Sequence, residues 1–217
     1  MTGILHSLTM TTVLLTALVG CTVFPTPEPP RVMDFAVPDP TFRAPETRPY
    51  SFRVDTPYAS DPLSSNRILA KPTPWEFQVY DGVRWRDTVP VIVRDLLVKT
   101  IRASGGFENV ISDTNPADAD WTLVIELSAF HTENNAETVT AVIELHGQVI
   151  DNRSRATLCS DSFRIEQPAE GSDIEAVVKA FSQAGERLSQ TITEWAARCN
   201  GAASQEAGNR SDQAAFR

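Results

Sequence analysis

Two long segments in which apolar and polar residues alternate restrict the fold of this chain more than any other feature of its sequence. Apolar residues occupy alternate positions at Trp121, Leu123, Ile125 and Leu127, and again at Val139, Ala141, Ile143, Leu145 and Val149. A period of two places such residues on one face of a β-strand. The intervening HTENNAE segment predicts a hairpin loop, and a third strand over 156–166 follows a turn at 151–152. The pattern therefore predicts an antiparallel meander with one buried face.

The segment that begins at Thr88 has the spacing of an amphipathic helix. Thr88 can cap its first turn, Pro90 fits that turn, and the Gly105–Gly106 pair ends it. The apolar residues at helical spacing are Val89, Ile92, Val93, Leu96, Leu97 and Ile101. This stripe predicts one helix packed against the sheet.

A second and longer helix is predicted near the end of the chain. Ser172 and Glu175 form a capping box at its start. Its apolar stripe consists of Ile174, Val177, Val178, Phe181, Leu188, Ile192, Trp195 and Cys199. Strands in one run with two amphipathic helices on one face predict an α+β two-layer sandwich with a mainly antiparallel sheet.

Shorter segments complete the predicted domain, which spans residues 50–199. Residues 67–70 and 77–80 are short strands around a proline break, with a turn at Asp81–Gly82. Residues 107–111 predict a strand that returns after the first helix. Two alternating pieces at 32–37 and 50–54 are predicted edge strands, where flanking prolines are tolerated.

The N-terminal twenty residues are typical of an export signal. They contain no Asp, Glu, Lys or Arg, and the apolar run is too short and too rich in threonine for a membrane span. The basic start expected of such a signal is missing. Leu18-Val19-Gly20-Cys21 resembles the bacterial lipobox, which implies cleavage between Gly20 and Cys21 and a diacylglyceryl group on the Cys21 sulfur. An ordinary signal peptide with a chance cysteine is the alternative.

Residues 21–49 predict a lipid-anchored tether that is rich in proline. Closely spaced prolines block helix formation and keep the backbone extended, so this segment would hold the domain away from the bilayer. Thr22, directly after the cysteine, favours the outer membrane over the inner membrane. The polar tail over 200–217 is predicted to be disordered.

The two remaining cysteines form an even pair once Cys21 carries lipid. Cys159 shares its strand parity with Phe163 and Ile165, and Cys199 continues the apolar stripe of the second helix. Both therefore point toward the same layer, and an exported protein meets an oxidising compartment. The sequence predicts a Cys159–Cys199 disulfide; two buried free thiols, too far apart to bridge, are the alternative.

Composition and motifs give little support for catalysis or nucleic-acid binding. The 28 acidic residues outnumber the 19 basic residues, and no basic cluster could follow a phosphate backbone. His131 and His146 match no zinc motif and are predicted to be solvated surface residues. No phosphate loop or nucleophile elbow is present in the sequence. We expect neither a cofactor nor a metal.

The segment FQVYDGVRWRDTVP, residues 77–90, concentrates aromatic residues and arginine at a strand, a turn and a helix entry. Such residues are typical of interface anchors. Trp85 could equally fill the core beneath the first helix, and the sequence leaves both interpretations open.

The order of these motifs resembles that of the ABC-type transport auxiliary lipoproteins, the PqiC-like family. The resemblance rests on the strand motif I-L-x-x-P, on Y-D-G-V-R-W at 80–85, on L-x-x-x-I-R-A-S-G in the first helix and on D-A-D-W-T-L-V-I-E-L at 118–127. It covers residues 32–197. Tyr80, Arg84, Trp85 and Pro90 carry the most recognisable part, and the resemblance implies that they bind a partner.

The resemblance implies a non-enzymatic, periplasm-facing lipoprotein of the cell envelope. Its partners would be an MCE-domain periplasmic protein and an ABC permease and ATPase complex that move lipid between membranes. The chain would dock the periplasmic assembly to its membrane, in the form of a ring of copies if it oligomerises. Two alternatives stay open: an outer-membrane structural or assembly lipoprotein that binds other envelope proteins, and an envelope hydrolase.

Overall fold

The computed structural model describes residues 28–36, 38–135 and 138–199, without the side chain of Asn135. Two helices and a mainly antiparallel sheet confirm the α+β sandwich. The strands are β1 (Arg31–Met33), β2 (Arg48–Val54), β3 (Leu69–Thr73), β4 (Glu76–Val79), β5 (Val83–Trp85), β6 (Phe107–Ser112), β7 (Trp121–Asn135), β8 (Thr138–Asp151) and β9 (Thr157–Pro168). The helices are α1 (Val89–Ser104) and α2 (Ile174–Arg198).

The predicted meander supplies the three longest strands of the sheet. β7 pairs antiparallel with β8 over its whole length, and β8 pairs antiparallel with β9. The register changes between Leu127 and Ala129, where β7 carries an extra residue. Such a bulge reverses which side chains face the helices. Phe130 accordingly stacks on Phe181 of α2, with ring centroids 4.9 Å apart.

The free edge of β7 is divided between two other strands. β2 pairs parallel with its first residues, and β3 pairs parallel with Thr132 and Glu133 near its end. β6 then pairs parallel with β2, and β4 pairs antiparallel with β3. The predicted edge position of residues 50–54 is therefore wrong, because β2 lies between β6 and β7. β1 pairs with β5 in a separate two-stranded sheet.

Both helices cover one face of the sheet and enclose the core between them. α1 ends at Gly105, whose left-handed φ of 67° suits a residue without a side chain. Thr88 takes the predicted cap position of α1 but makes no side-chain cap hydrogen bond. Asp173 caps α2 by accepting from the Ala176 backbone N–H at 2.9 Å, so the prediction of Ser172 as the cap is wrong by one position.

A disulfide joins Cys159 of β9 to Cys199 at the C-terminal end of α2, the pair that the sequence predicts. The two Cα atoms lie 5.9 Å apart, within the range that a disulfide can span. Arg48 of β2 donates to the Cys199 carbonyl from its guanidinium. These contacts fasten the end of α2 to the sheet near the start of β7.

Candidate functional site: an exposed aromatic hairpin

The β3–β4 hairpin presents three of the large exposed apolar side chains of the described domain, including the most exposed one, Trp75. Pro74 and Trp75 form its two-residue turn, and the Trp75 side chain is 86 % exposed. Phe77 and Val79 follow at alternate positions of β4, and each is 40 % exposed. We call these three residues the hairpin surface. Contiguous exposed apolar side chains on a small domain mark a site of contact with another molecule.

Parallel pairing with the end of β7 holds the hairpin in place. Ala70 and Lys71 of β3 pair with Thr132 and Glu133. The Tyr80 hydroxyl lies 3.0 Å from the Thr132 hydroxyl, and the two can share a hydrogen bond. Tyr80 is half-buried and supports the base of the hairpin, and a direct partner contact by Tyr80 remains a prediction.

Trp85 and Pro90, also predicted to bind a partner, are buried in the core. Trp85 has no exposed surface, and its ring packs edge-on against Phe35, Phe130 and Phe181 at centroid distances of 5.4, 5.9 and 5.5 Å. A side chain without accessible surface cannot touch a partner, so Trp85 is a core residue. Pro90 lies in the first turn of α1, where its missing N–H costs no helical hydrogen bond.

Arg84 is the fourth residue of the predicted set, and it is half-buried. One guanidinium nitrogen of Arg84 donates to the Trp85 carbonyl at 3.0 Å. A direct partner contact by Arg84 remains a prediction.

His131 lies beneath the hairpin surface and is only 2 % exposed. Phe77 packs edge-on against its ring with centroids 5.4 Å apart, and neither ring nitrogen has a hydrogen-bond partner among the described residues. Burial lowers the pKa of His131, and the Lys71 and Arg164 charges add to this while Glu133 at 3.4 Å opposes it. The prediction of a solvated histidine is therefore wrong.

The reason for this burial is that the sheet is covered on both faces at this end. The bulge turns Ala129 and His131 away from the helices, and Val142 of β8 lies opposite His131. All three are buried, although the helices cover the other face. The expected single buried face of the meander thus holds only for part of its length.

A charged network borders the hairpin surface. Arg164 of β9 pairs with Glu144 at 2.6 Å, Glu166 at 2.8 Å and Glu133 at 3.4 Å. The hydrogen bond from Arg164 lowers the pKa of Glu144. Lys71 lies over the Phe77 ring at 5.5 Å. An apolar centre with a charged rim is the usual composition of a protein–protein interface.

A concave region lies at the other end of β7, where β2, β7 and the β8–β9 turn meet. This arginine cleft, named for Arg53, Arg153 and Arg155 in its lining, has a volume of about 620 Å³. Tyr50 and Trp121 form an aromatic wall with ring centroids 4.5 Å apart.

Three aspartates also line the arginine cleft, and two of them hold its walls together. Asp120 accepts from the Ser51 backbone N–H at 2.8 Å and from the Ser51 hydroxyl at 3.0 Å. Asp151 accepts from the Arg153 and Ser154 backbone N–H groups and from the Ser154 hydroxyl. The hydrogen bonds from Ser154 lower the pKa of Asp151.

Sequence reasoning missed Trp75 and the arginine cleft. The available signal was a tryptophan directly after Pro74. In a two-residue turn, its side chain has no strand face to pack against and is left exposed. The arginine cleft had no local signal, because its residues come from three separate parts of the chain. Gly20 and Cys21 lie outside the described residues.

No group of three or more His, Cys, Asp and Glu side chains that could bind a metal ion occurs within residues 28–36, 38–135 and 138–199. Within the same ranges, neither helix is long and apolar enough to cross a bilayer. The fold and the hairpin surface define a class of protein: a small two-layer α+β domain with an exposed apolar hairpin. The model of the ABC-type transport auxiliary lipoprotein components matches residues 34–193, and the chain belongs to that family. The family predicted from the sequence motifs is thereby confirmed, and its description as an auxiliary lipoprotein suggests a non-enzymatic protein of the cell envelope.

Solved structures that are similar to this chain include the following two. Protein XCC0632 from Xanthomonas campestris, of the family DUF330, is 25% identical with a TM-score of 0.70, over 80% of this chain and 99% of that chain. An uncharacterised protein is 15% identical with a TM-score of 0.60, over 77% of this chain and 98% of that chain, and shows the fold alone. No protein of curated function matches the chain.

Proposed function

We propose that this protein is a lipid-anchored accessory of an ABC transport system that moves lipid between the membranes of the cell envelope. It docks an MCE-domain periplasmic protein, which works with the ABC permease and ATPase, to the membrane that carries the anchor. The observation that carries this proposal is the family match over residues 34–193. The ATPase partner supplies the energy, and this chain supplies attachment.

The hairpin surface is the contact for the MCE-domain partner in this proposal. Trp75 and Phe77 are large, exposed and held on a hairpin that is paired with β7, so little loop entropy is lost when a partner covers them. Aromatic anchors of this kind contribute most of the affinity at protein interfaces. Lys71 and Glu133 offer charges of both signs at its border, which would orient the partner.

The anchor is the lipidated Cys21, formed when the signal is cut after Gly20. A tether from Cys21 to Arg31 spans about 30 Å when extended as polyproline II, at about 3.1 Å per residue. Two or more acyl chains hold a protein firmly on a bilayer, because each buried CH₂ contributes about 0.8 kcal/mol. The outer membrane is the proposed location, on the basis of Thr22.

The docking surface is tested by co-purification. Tagged protein is extracted from its native membranes in mild detergent, and the recovered MCE-domain protein is quantified. Trp75→Ala together with Phe77→Ser lowers recovery by about tenfold or more, since each interface hot spot is worth about 2 kcal/mol. Tyr58→Ala, which removes an aromatic side chain that is 71 % exposed elsewhere on the domain, leaves recovery unchanged.

The outcome that contradicts the hairpin surface is unchanged recovery with a variant whose thermal unfolding matches wild type. Arg84→Ala in the same assay tests the predicted contact that is still open. If no MCE-domain protein is recovered with the wild-type chain, the partner itself is wrong.

The anchor is tested separately by labelling cells with a radioactive fatty acid and fractionating their membranes. Wild-type protein carries the label and sediments with the outer membrane, whereas Cys21→Ser carries no label and is released from membranes. Mature wild-type protein without label would remove the anchor from the proposal.

A further inference from the structure

The arginine cleft contains hydrogen-bond donors that the rest of the described chain does not use. The side chains of Arg153 and Arg155 have no hydrogen bond or ion pair among the described residues. The Arg53 guanidinium donates to the Ala117 carbonyl at 2.5 Å, while its Nε is buried without a partner. A guanidinium offers five donors in a planar fork that fits two oxygens of a phosphate.

The backbone at Arg155, an exposed residue in the lining of the cleft, has a strained conformation. Its φ is 63°, in the left-handed region that residues other than glycine and asparagine rarely adopt. Its N–H donates to the Asp151 carbonyl at 2.8 Å, which holds the turn in this conformation. Strain of this kind costs about 1 kcal/mol or more, and it is concentrated at binding sites.

The charges of the cleft balance, and this restricts the ligand. Arg53, Arg153 and Arg155 are matched by Asp118, Asp120 and Asp151. Asp120 and Asp151 accept hydrogen bonds from residues in the walls of the cleft. Asp118 is exposed and has no partner among the described residues. A simple anion would be attracted by the arginines and repelled by the aspartates. A ligand that carries both a phosphate and an ammonium group suits both sets.

The aromatic wall is consistent with such a ligand. The Tyr50 ring is exposed and stacks on Trp121, which already carries Arg48 over its ring at 5.5 Å. An ammonium group can be bound by the face of an aromatic ring as well as by a carboxylate. The volume of about 620 Å³ lies within the usual range for small-ligand sites.

We propose that the arginine cleft binds a zwitterionic phosphoethanolamine group, with its phosphate on Arg153 and Arg155 and its ammonium between Asp118 and Tyr50. The group comes either from a phospholipid head group or from a water-soluble phosphoamine. The proposed ligand site involves only residues of the arginine cleft. The hairpin surface lies at the other end of β7, about 45 Å away at 3.3 Å per residue, so either site can fail without the other.

The test is calorimetric titration of the purified full-length protein in a maltoside detergent and phosphate-free buffer. O-phosphoethanolamine binds saturably and about tenfold tighter than inorganic phosphate, because one charge-assisted hydrogen bond is worth about 1.5 kcal/mol or more. Arg153→Ala with Arg155→Ala weakens binding of both ligands by about tenfold or more. Asp118→Asn weakens O-phosphoethanolamine binding but does not weaken phosphate binding, because phosphate loses a repelling charge. Arg67→Ala, an exposed arginine outside the cleft, is the matched control.

Micelles that contain phosphatidylethanolamine or phosphatidylglycerol distinguish the two sources. Binding of phosphatidylethanolamine in preference to phosphatidylglycerol, lost in the double arginine variant, assigns the cleft to a lipid head group. Binding of soluble O-phosphoethanolamine alone assigns it to a free phosphoamine. The proposal is overturned if neither compound binds saturably, if phosphate binds as tightly as O-phosphoethanolamine, or if Arg67→Ala reproduces the loss.

Discussion

The two ends of β7 carry opposite kinds of surface. At its C-terminal end, the hairpin surface is apolar and exposed, with charges only at its border. At its N-terminal end, the arginine cleft is concave and charged, with aspartates that are hydrogen-bonded into its walls. An exposed apolar surface gains free energy from excluding water with a large partner. A concave charged surface selects a small ligand by its hydrogen bonds. One strand therefore connects the proposed docking surface with the proposed ligand site.

The two ends are also stabilised differently. The core near the C-terminal end of β7 contains the aromatic cluster of Trp85, Phe35, Phe130 and Phe181. The cleft end rests on the disulfide and on hydrogen-bonded turns. The comparison predicts that each end can be weakened without equal damage to the other.

Removal of the central aromatic side chain has the largest expected effect. Trp85→Ala lowers the free energy of unfolding by about 3 to 5 kcal/mol, because it leaves a cavity in a close-packed core. Trp75→Ala, measured by the same denaturant titration, changes it by about 0.5 kcal/mol or less since the side chain is exposed. Equal losses in the two variants would contradict the division between core and surface tryptophans.

Loss of the disulfide has the next largest effect. Replacement of Cys159 and Cys199 by alanine lowers the free energy of unfolding by ~3 to 4 kcal/mol on the chain-entropy estimate, for two cysteines 40 residues apart. Hydrogen exchange should accelerate in 48–54 and 149–159 and stay close to wild type in 69–79. Uniform acceleration across the domain would show that the two ends are not separately held.

A pH titration gives a smaller effect, which is located at the hairpin end. The pKa of His131 is lowered in the folded state by burial, so the unfolded chain binds the proton more readily. Its contribution to stability is therefore present above the unfolded pKa of about 6.5 and is lost as pH falls from that value through the lower folded pKa. His131→Leu should reduce the loss of stability between about pH 7.5 and 5.5.

His146→Gln is the control for the removal of a histidine as such. The salt-bridged Glu144, whose pKa is lowered by Arg164, adds its own loss only at more acidic pH, around the normal glutamate value of about 4.3 and below. If His131→Leu keeps the wild-type profile in the neutral range, the interpretation of His131 is incorrect.

The smallest expected effect is an increase in stability from a substitution at the cleft end. Arg155→Gly should raise the free energy of unfolding by about 0.5 to 1 kcal/mol, because glycine adopts a φ of 63° without strain. The same substitution should weaken O-phosphoethanolamine binding. A stabilised variant with unchanged binding would separate the strain from the proposed ligand site.

Elements with a local signal were predictable from the sequence. The periodicity of α1 and α2 and the alternation in β7, β8 and β9 follow from each segment alone. Strand parity and the helical stripe were enough to bring Cys159 and Cys199 together. The Trp85 alternatives could not be separated, because an aromatic residue at a helix entry has the same local pattern whether it faces the core or a partner.

Elements that depend on distant pairing were not predictable. β2 was expected at an edge, yet it lies between β6 and β7 because parallel pairing joins segments that are far apart in the chain. The bulge after Leu127 reverses strand parity, and no residue type in that segment indicates it. His131 is therefore buried under Phe77, a residue more than fifty positions earlier in the chain.

The short pairing of β1 with β5 has a mechanical consequence. If the chain is anchored at Cys21 as proposed, tension in the tether would reach Arg31 first, where three residue pairs and one exposed ion pair to Glu175 secure the segment. An exposed ion pair resists little, whereas Phe35 further along is packed against Trp85. Load on the anchor would thus release β1 and lengthen the tether by about 10 Å, at 3.3 Å per residue, before it reached the core. The domain could then follow a moving partner while its hairpin kept its shape.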